Sequence, residues 1–280
     1  LTAVPAPLQL RIADDLRLRI ERRDLAPGDS LPTIHQLART WECSLNPVRV
    51  AFDLLKTQGL ITGGRGKPAV VRTPPRQVVR SSLRHQQEKD LVLAPLAERA
   101  QVGTAEIESK TTIRDLRFRT VYDVVPATDA VAAALGIADG AEVLRRAWEH
   151  LNPAGGVREA WSVSHIPADY IRDNPRLFDS GSEPWPGGTQ HQLSTVGIEV
   201  MQVIDEVSAH MPSTADAALW DLPPGVPMLR CRRISVDQYG RRVEISDAEY
   251  PADRTRLDFV TPLTAWPSQP APSSGHDDAG

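Results

Sequence analysis

Arg65 and Lys67 flank Gly66 within the stretch Gly63-Gly64-Arg65-Gly66-Lys67-Pro68, two cations on a short turn with no bulk between them. Such a tip can approach a nucleic-acid backbone closely and neutralise phosphate charge. Upstream, Arg49 follows Ser44, Leu45, Asn46 and Pro47. Its guanidinium has the fork geometry that bridges guanine O6 and N7 or clamps a phosphate; a solvated surface cation is the alternative. Catalytic chemistry finds no comparable grouping. The histidines at 35, 85, 150, 165, 191, 210 and 276 are dispersed, and the sequence has no HExxH, GxSxG, CxxC or phosphate-loop motif. Neither a metal site, a cofactor nor an activated nucleophile is therefore expected.

The net charge of −4 conceals a division of sign. Residues 1–90 hold 15 Lys/Arg against 9 Asp/Glu, whereas residues 91–280 hold 17 against 27. A basic head on an acidic body points to a nucleic-acid module joined to a part that does not touch nucleic acid, unless the charge is only clustered solvated surface. With 41% hydrophobic and 24% charged residues the composition is that of an ordinary soluble protein, and no run of about eighteen apolar residues is present to span a bilayer. Residues 1–10 lack the basic start, apolar core and cleavage site of a secretory signal, and the missing initiator Met suggests a trimmed or tagged chain. Cys43 and Cys231 stand far apart in the chain, so a reduced, cytoplasmic protein without a disulfide or membrane partner is expected.

The elements that must carry the cations can be read from spacing. Leu8, Ile12, Leu16 and Ile20 recur every fourth residue and put one apolar stripe on a first helix. Ala26-Pro27-Gly28-Asp29 is a turn, and Thr33 caps a short second helix that turns Ile34, Leu37 and Ala38 inward. Ser44 caps a third, Pro47 falls in its first turn, and Gly59 stops it after Val48, Phe52 and Leu55. Two short helices split by a tight connection form a helix-turn-helix, and apolar runs at 60–62 and 69–71 form a wing hairpin around the basic tip. The first domain is thus 1–72. TPPRQVVRSSLRHQQEKD, residues 73–90, is polar and basic and reads as a linker that leaves the head free to reorient, with a short helix at its end. Residues 91–263 form a second domain, and 264–280 are too polar to pack and are expected to be disordered.

The string IADDLRLRIERRDLAPGDSLPTIHQLARTWECSLNPVRVAFDLLKTQGLI, followed by GRGKPAVV, resembles the DNA-binding domain of the GntR family over residues 8–71 without a gap. The resemblance implies a dimer on a palindromic operator of double-stranded DNA, with the start of the third helix in the major groove and the wing in the minor groove. It assigns DNA contact to His35, Ser44, Leu45, Asn46, Pro47, Arg49, Arg65, Gly66 and Lys67. The sequence departs from the family at His35 and Leu45, where the family places Arg, and at Pro47, where it places Thr or Ser. Arg49 and Gly66 are retained. Neither Leu nor neutral His reproduces an arginine fork, so an operator unlike the common family sequence is implied. Leu45 either touches a thymine methyl or makes a neutral contact.

The second domain alternates. Stretches 143–151, 157–166, 226–236 and 242–250 are rich in β-branched and aromatic residues, and helical patches lie at 129–135, 190–196 and 215–220. The whole is therefore an α+β protein of two domains. This ordering is similar to the UTRA ligand-binding domain of the HutC branch of the GntR family, which implies a chorismate-lyase-like mixed α/β fold and a small-molecule effector. The cues are Leu135-Gly136 before the strand with Arg146, Ser164-His165-Ile166-Pro167, the helix at 191–197, and LRCRRISVDQYGRRVEISDAEYPADR. By this resemblance the effector site comprises Arg146, Ser164, Glu244 and Tyr250, with Trp148 where a second arginine usually stands. That exchange favours a more apolar or aromatic effector over a sugar phosphate. Trp148 and Trp161 as core filling, and Glu244 with Ser164 as a self-satisfied polar pair, are the alternatives. Glu244 and Tyr250 are six apart, and Arg146 and Trp148 two apart, so period-two geometry gives each pair one face, expected to form opposing walls of a cup. RSSLRHQQEKD also resembles regulators of conjugative transfer and plasmid maintenance in actinobacteria.

The expected function is a ligand-responsive transcriptional regulator, a repressor by preference. An enzyme built on the lyase-like fold, and a DNA-binding protein without a ligand, are the competing classes; fold alone does not separate them.

Overall fold

The computed structural model describes residues 6–64, 67–75, 77–100, 117–151 and 158–263. Arg65 and Gly66 of the wing tip, Val157, and the tail at 264–280 lie outside the described residues.

The head contains α1 (Leu8–Glu21), α2 (Ile34–Thr40) and α3 (Leu45–Thr57). Ile12 and Leu16 of α1 pack into one buried cluster with Leu37 of α2 and Val48, Ala51, Phe52 and Leu55 of α3, and Leu8 and Ile20 flank it. This is the stripe that the fourfold spacing predicts. A capping box starts α2: the Gln36 N–H donates to Thr33 Oγ1 at 3.2 Å, and the Thr33 N–H donates to Gln36 Oε1 at 2.7 Å. Ser44 does occupy the N-cap of α3 with extended backbone, but its hydroxyl makes no capping bond. The wing strands β1 (Ile61–Gly64) and β2 (Lys67–Val71) pair antiparallel, with Ile61 opposite Val71.

The segment expected as a free linker is corrected by the structure. β3 (Val78–Ser81) pairs in parallel with β10 (Thr255–Asp258) at the end of the chain's second half. α4 (Arg84–Leu91) follows and is fastened to the second domain, with Lys89 Nζ donating to the Val200 carbonyl at 2.9 Å. Its attachments are hydrogen bonds and buried polar side chains, not an apolar stripe, which is why composition alone reads it as a tether. The head also meets the body. Arg72 pairs with Asp253, both largely buried, and the end of α3 abuts the Pro224-Gly225 turn. A Cβ at Gly225 would stand 1.9 Å from the Thr57 carbonyl oxygen, and its φ of +82° already favours glycine.

The second domain is built on a six-stranded antiparallel sheet of order β4-β5-β6-β9-β8-β7. Its strands are β4 (Arg117–Pro126), β5 (Glu142–Leu151), β6 (Arg158–Pro167), β7 (Val200–His210), β8 (Met228–Asp237) and β9 (Arg242–Pro251). The helices are α5 (Leu96–Arg99), α6 (Asp129–Leu135), α7 (Ala168–Ile171), α8 (Gly188–Ser194) and α9 (Thr214–Leu219). The sequence pattern locates β5, β6, β8 and β9 but not β4 and β7. Those two are the edges of the sheet among the described residues, and charged residues interrupt their apolar rhythm. Two cores result: α6 covers Val143, Ile234 and Ile245 on one side, and Leu193 of α8 packs with Leu144, Ile166, Ile171 and Trp185 on the other.

Candidate functional site

On α3 the buried positions 48, 51, 52 and 55 leave Asn46, Arg49, Val50 and Asp53 as one exposed stripe, the spacing that a 3.6-residue repeat requires. Ser44 and Arg49 are exposed near the start of the helix, and His35 is exposed on α2. Leu45 is half-buried and packs against the head's core, and Pro47 is likewise only partly accessible. Lys67 is exposed where β2 begins. The structure therefore brings an exposed amide and guanidinium to one helix face, with a basic wing residue on the neighbouring hairpin.

The second cluster is interior. Cross-strand partners share a sheet face, and the register sets Arg146 opposite Ser164 and Ser164 opposite Ser246. Arg146, 1% exposed, donates from Nε to Ser164 Oγ at 3.0 Å, from Nη1 to Gln192 Oε1 at 2.5 Å and from Nη2 to Glu244 Oε1 at 2.5 Å. The Trp148 ring lies 4.7 Å from the guanidinium carbon, and Tyr122 meets Trp148 edge to face at 5.8 Å. Tyr122 donates to Glu183, which also accepts from Gln192 Nε2. Burial, outweighing Arg146, raises the Tyr122 phenol, so it stays a donor.

Three sequence expectations change here. Arg146 and Glu244 do not line opposing walls: they sit on the same sheet face and bond each other directly. One face of Trp148 is engaged by Arg146. Tyr250, six residues and about 20 Å of strand from Glu244, is not brought to the cluster; it packs with Cys231 and Ala248. Arg80 stacks 3.9 Å over its ring, and together with Ser82, His85, Asp205 and Cys231 they line a narrow cleft. Gln192, Glu183 and Tyr122 escaped sequence reasoning because they come from α8, an irregular loop and an edge strand, with no spacing that links them to Arg146.

At that cleft, burial alone would raise the Asp205 carboxyl. The His85 hydrogen bond and the Arg233 ion pair at 2.8 Å outweigh it and hold the pKa at about 2, below its ordinary 3.8. A depressed carboxyl pKa contributes stability that is present above the ordinary value and lost as pH falls through the folded one. Asp205→Asn should cost about 2 kcal/mol in urea unfolding at neutral pH, and the difference from wild type should shrink as pH falls below about 4 and vanish only below about pH 2.

A winged helix-turn-helix with an exposed recognition stripe, fastened to a sheet domain with an interior charged cluster, defines a two-domain DNA-binding regulator. The comparisons agree. Residues 8–71 match the model of bacterial regulatory proteins of the gntR family, and residues 119–256 match the UTRA domain. An HTH-type transcriptional regulator of Streptomyces coelicolor, SCO4628, is 30% identical over 94% of this chain and 96% of its own. The HTH-type transcriptional repressor PhnF of Mycolicibacterium smegmatis is 23% identical over 83% of this chain and 84% of its own. A solved GntR-family transcriptional regulator superposes with a TM-score of 0.68 at 24% identity, covering 92% of this chain and 99% of that one. The chain belongs to the GntR family of bacterial regulators, of the HutC type with a UTRA domain, and is a transcriptional regulator rather than an enzyme. No helix among the described residues is long and apolar enough to cross a membrane.

Proposed function

We propose that the protein is a repressor that binds a palindromic operator as a dimer and changes DNA affinity when a small molecule binds its UTRA domain. The relatives named repressors, PhnF and NagR of Bacillus subtilis, support the sign of regulation. Asn46 and Arg49 on the exposed face of α3 contact base edges or phosphates from the major groove. His35, Ser44, Leu45 and Pro47 border that contact, and Arg65, Gly66 and Lys67 enter the minor groove. The effector meets Arg146, Trp148, Ser164 and Glu244, with Tyr250 serving the neighbouring cleft.

The observation that carries the effector reading is the buried guanidinium shared among three side chains from three elements. A buried ion pair contributes little net stability compared with an apolar replacement, so its presence is better explained by a ligand that competes for the same donors. The paired charges and two aromatic rings suit a small ring compound that carries an acceptor group.

For the DNA reading, Arg49→Ala should weaken binding to a specific fragment by about 1 to 3 kcal/mol while the protein stays folded. A gel-shift or fluorescence titration over a salt series measures both affinity and the number of phosphates neutralised. Unchanged affinity in a folded variant contradicts the assignment of α3.

A further inference from the structure

We infer that α8 couples the Arg146 cluster to the segment leading to the DNA-binding head, with Gln192 on its sheet side and Gln190 on its linker side. The regulatory meaning rests on the effector reading above, but the mechanical link stands on contacts that are independent of it. Residues two apart on a helix point about 200° from each other, and the two glutamines use that geometry. Gln192, 3% exposed, accepts from Arg146 and donates to Glu183. Gln190 faces the other way: its backbone N–H donates to Glu88 Oε1 at 2.9 Å and its Nε2 donates to the His85 carbonyl at 2.8 Å. Glu88 and His85 both belong to α4, which follows β3 after Ser82 and Leu83, and β3 in turn is the next described strand in the chain after wing strand β2. Glu88 and Gln190 are each only 9% exposed, so the junction is buried and a shift of α8 cannot be absorbed by solvent.

The helix is also built to move as a unit. It is only two turns long and follows Gly187, whose φ of +90° and crowding against His191 at 2.9 Å exclude a side chain. Leu193, near its C-terminal end, anchors it in the core beside Gln192. A ligand that takes the Arg146 Nη1 donor breaks the sheet-side bond of Gln192. It thereby frees α8 to tilt and withdraws Gln190 from α4. Coupling of this kind is a difference in free energy between two arrangements of one element, and it acts in both directions.

The test is amide hydrogen exchange on the full chain, wild type and Gln192→Ala, with neither DNA nor effector present. Gln192 has no hydrogen bond to α4, yet the substitution should speed exchange across residues 84–91 by about tenfold while β8 and β9 keep wild-type protection. Gln190→Ala should do the same from the other side, and the double variant should add nothing further, since both act through one element. Wild-type exchange in α4 of Gln192→Ala, with acceleration confined to α8, overturns the inference. Equal acceleration in β8 and β9 overturns it too, by reporting general loss of stability. On DNA selected from a random pool, the two single variants should shift affinity in the same direction; opposite shifts break the link to the head. A protein that selects no DNA contradicts the proposed function and leaves the exchange result standing.

Discussion

Arg146→Ala should lower the stability of the UTRA domain by about 3 to 5 kcal/mol, the range for removing one partner of a buried ion pair. The cause is what remains behind. Glu244 is left without its cation at 5% exposure, Gln192 Oε1 and Ser164 Oγ lose their donor, and the Trp148 ring loses the guanidinium it stacks upon. The loss therefore combines an unpaired acidic group with unsatisfied acceptors, and Ser235, at 3.5 Å from Glu244, offers a weak replacement donor. Urea unfolding followed by tryptophan fluorescence measures the change. Replacing both partners, Arg146→Met with Glu244→Leu, should recover most of the stability because no buried charge remains. A double variant as unstable as Arg146→Ala would mean that the cluster matters for shape rather than charge. By the same reasoning Glu244→Ala is a stability variant, since it strands Arg146. It is not the selective loss of ligand response that strand spacing by itself suggests.

Phe52→Ala should abolish DNA binding by unfolding the head while the second domain stays folded. Phe52 is 6% exposed and sits in the cluster that joins all three head helices. Deleting a buried phenyl ring costs about 3 to 5 kcal/mol through lost transfer energy and the cavity left behind. A domain of roughly seventy residues has little more stability than that to lose. The expected result is loss of helical signal from residues 8–57, at least a hundredfold weaker specific binding, and unchanged hydrogen exchange in β8 and β9. A variant that binds DNA normally would show that the head draws its stability chiefly from docking on the body through Arg72, Asp253 and Gly225.

How much of this was legible in the sequence depended on whether a feature is local. The head was readable because helix caps, turns and the fourfold apolar stripe are properties of neighbouring residues: Thr33, Pro47 and Gly59 punctuate the chain where the helices begin and end. Central strands were readable for a similar reason, as β5, β6, β8 and β9 have their apolar rhythm intact. Edge strands β4 and β7 were not, since charged residues break the pattern there. The fate of residues 78–90 was hidden as well. Their attachment depends on β10, more than 170 positions away, and on polar groups of α4 whose partners lie on α8 and β7. Within the candidate effector site, strand parity correctly gave one face to Arg146 with Trp148 and one to Glu244 with Tyr250, but not the strand order that puts both pairs on the same side of the sheet instead of on opposing walls. It could not give distance along the strand, which separates Tyr250 from the rest, nor the contribution of Gln192 from a helix that crosses that face.

The central claim, a dimeric repressor that reads a palindrome through α3 and the wing, is tested most directly by sequencing the DNA fragments that the purified protein selects from a random pool. The account predicts enrichment of an inverted repeat with half-sites about one helical turn or a multiple of it apart. It also predicts that Arg49→Ala relaxes preference at one position in each half-site without abolishing the repeat. Selection of no sequence, or of a single asymmetric site that Arg49→Ala leaves unchanged, would contradict it.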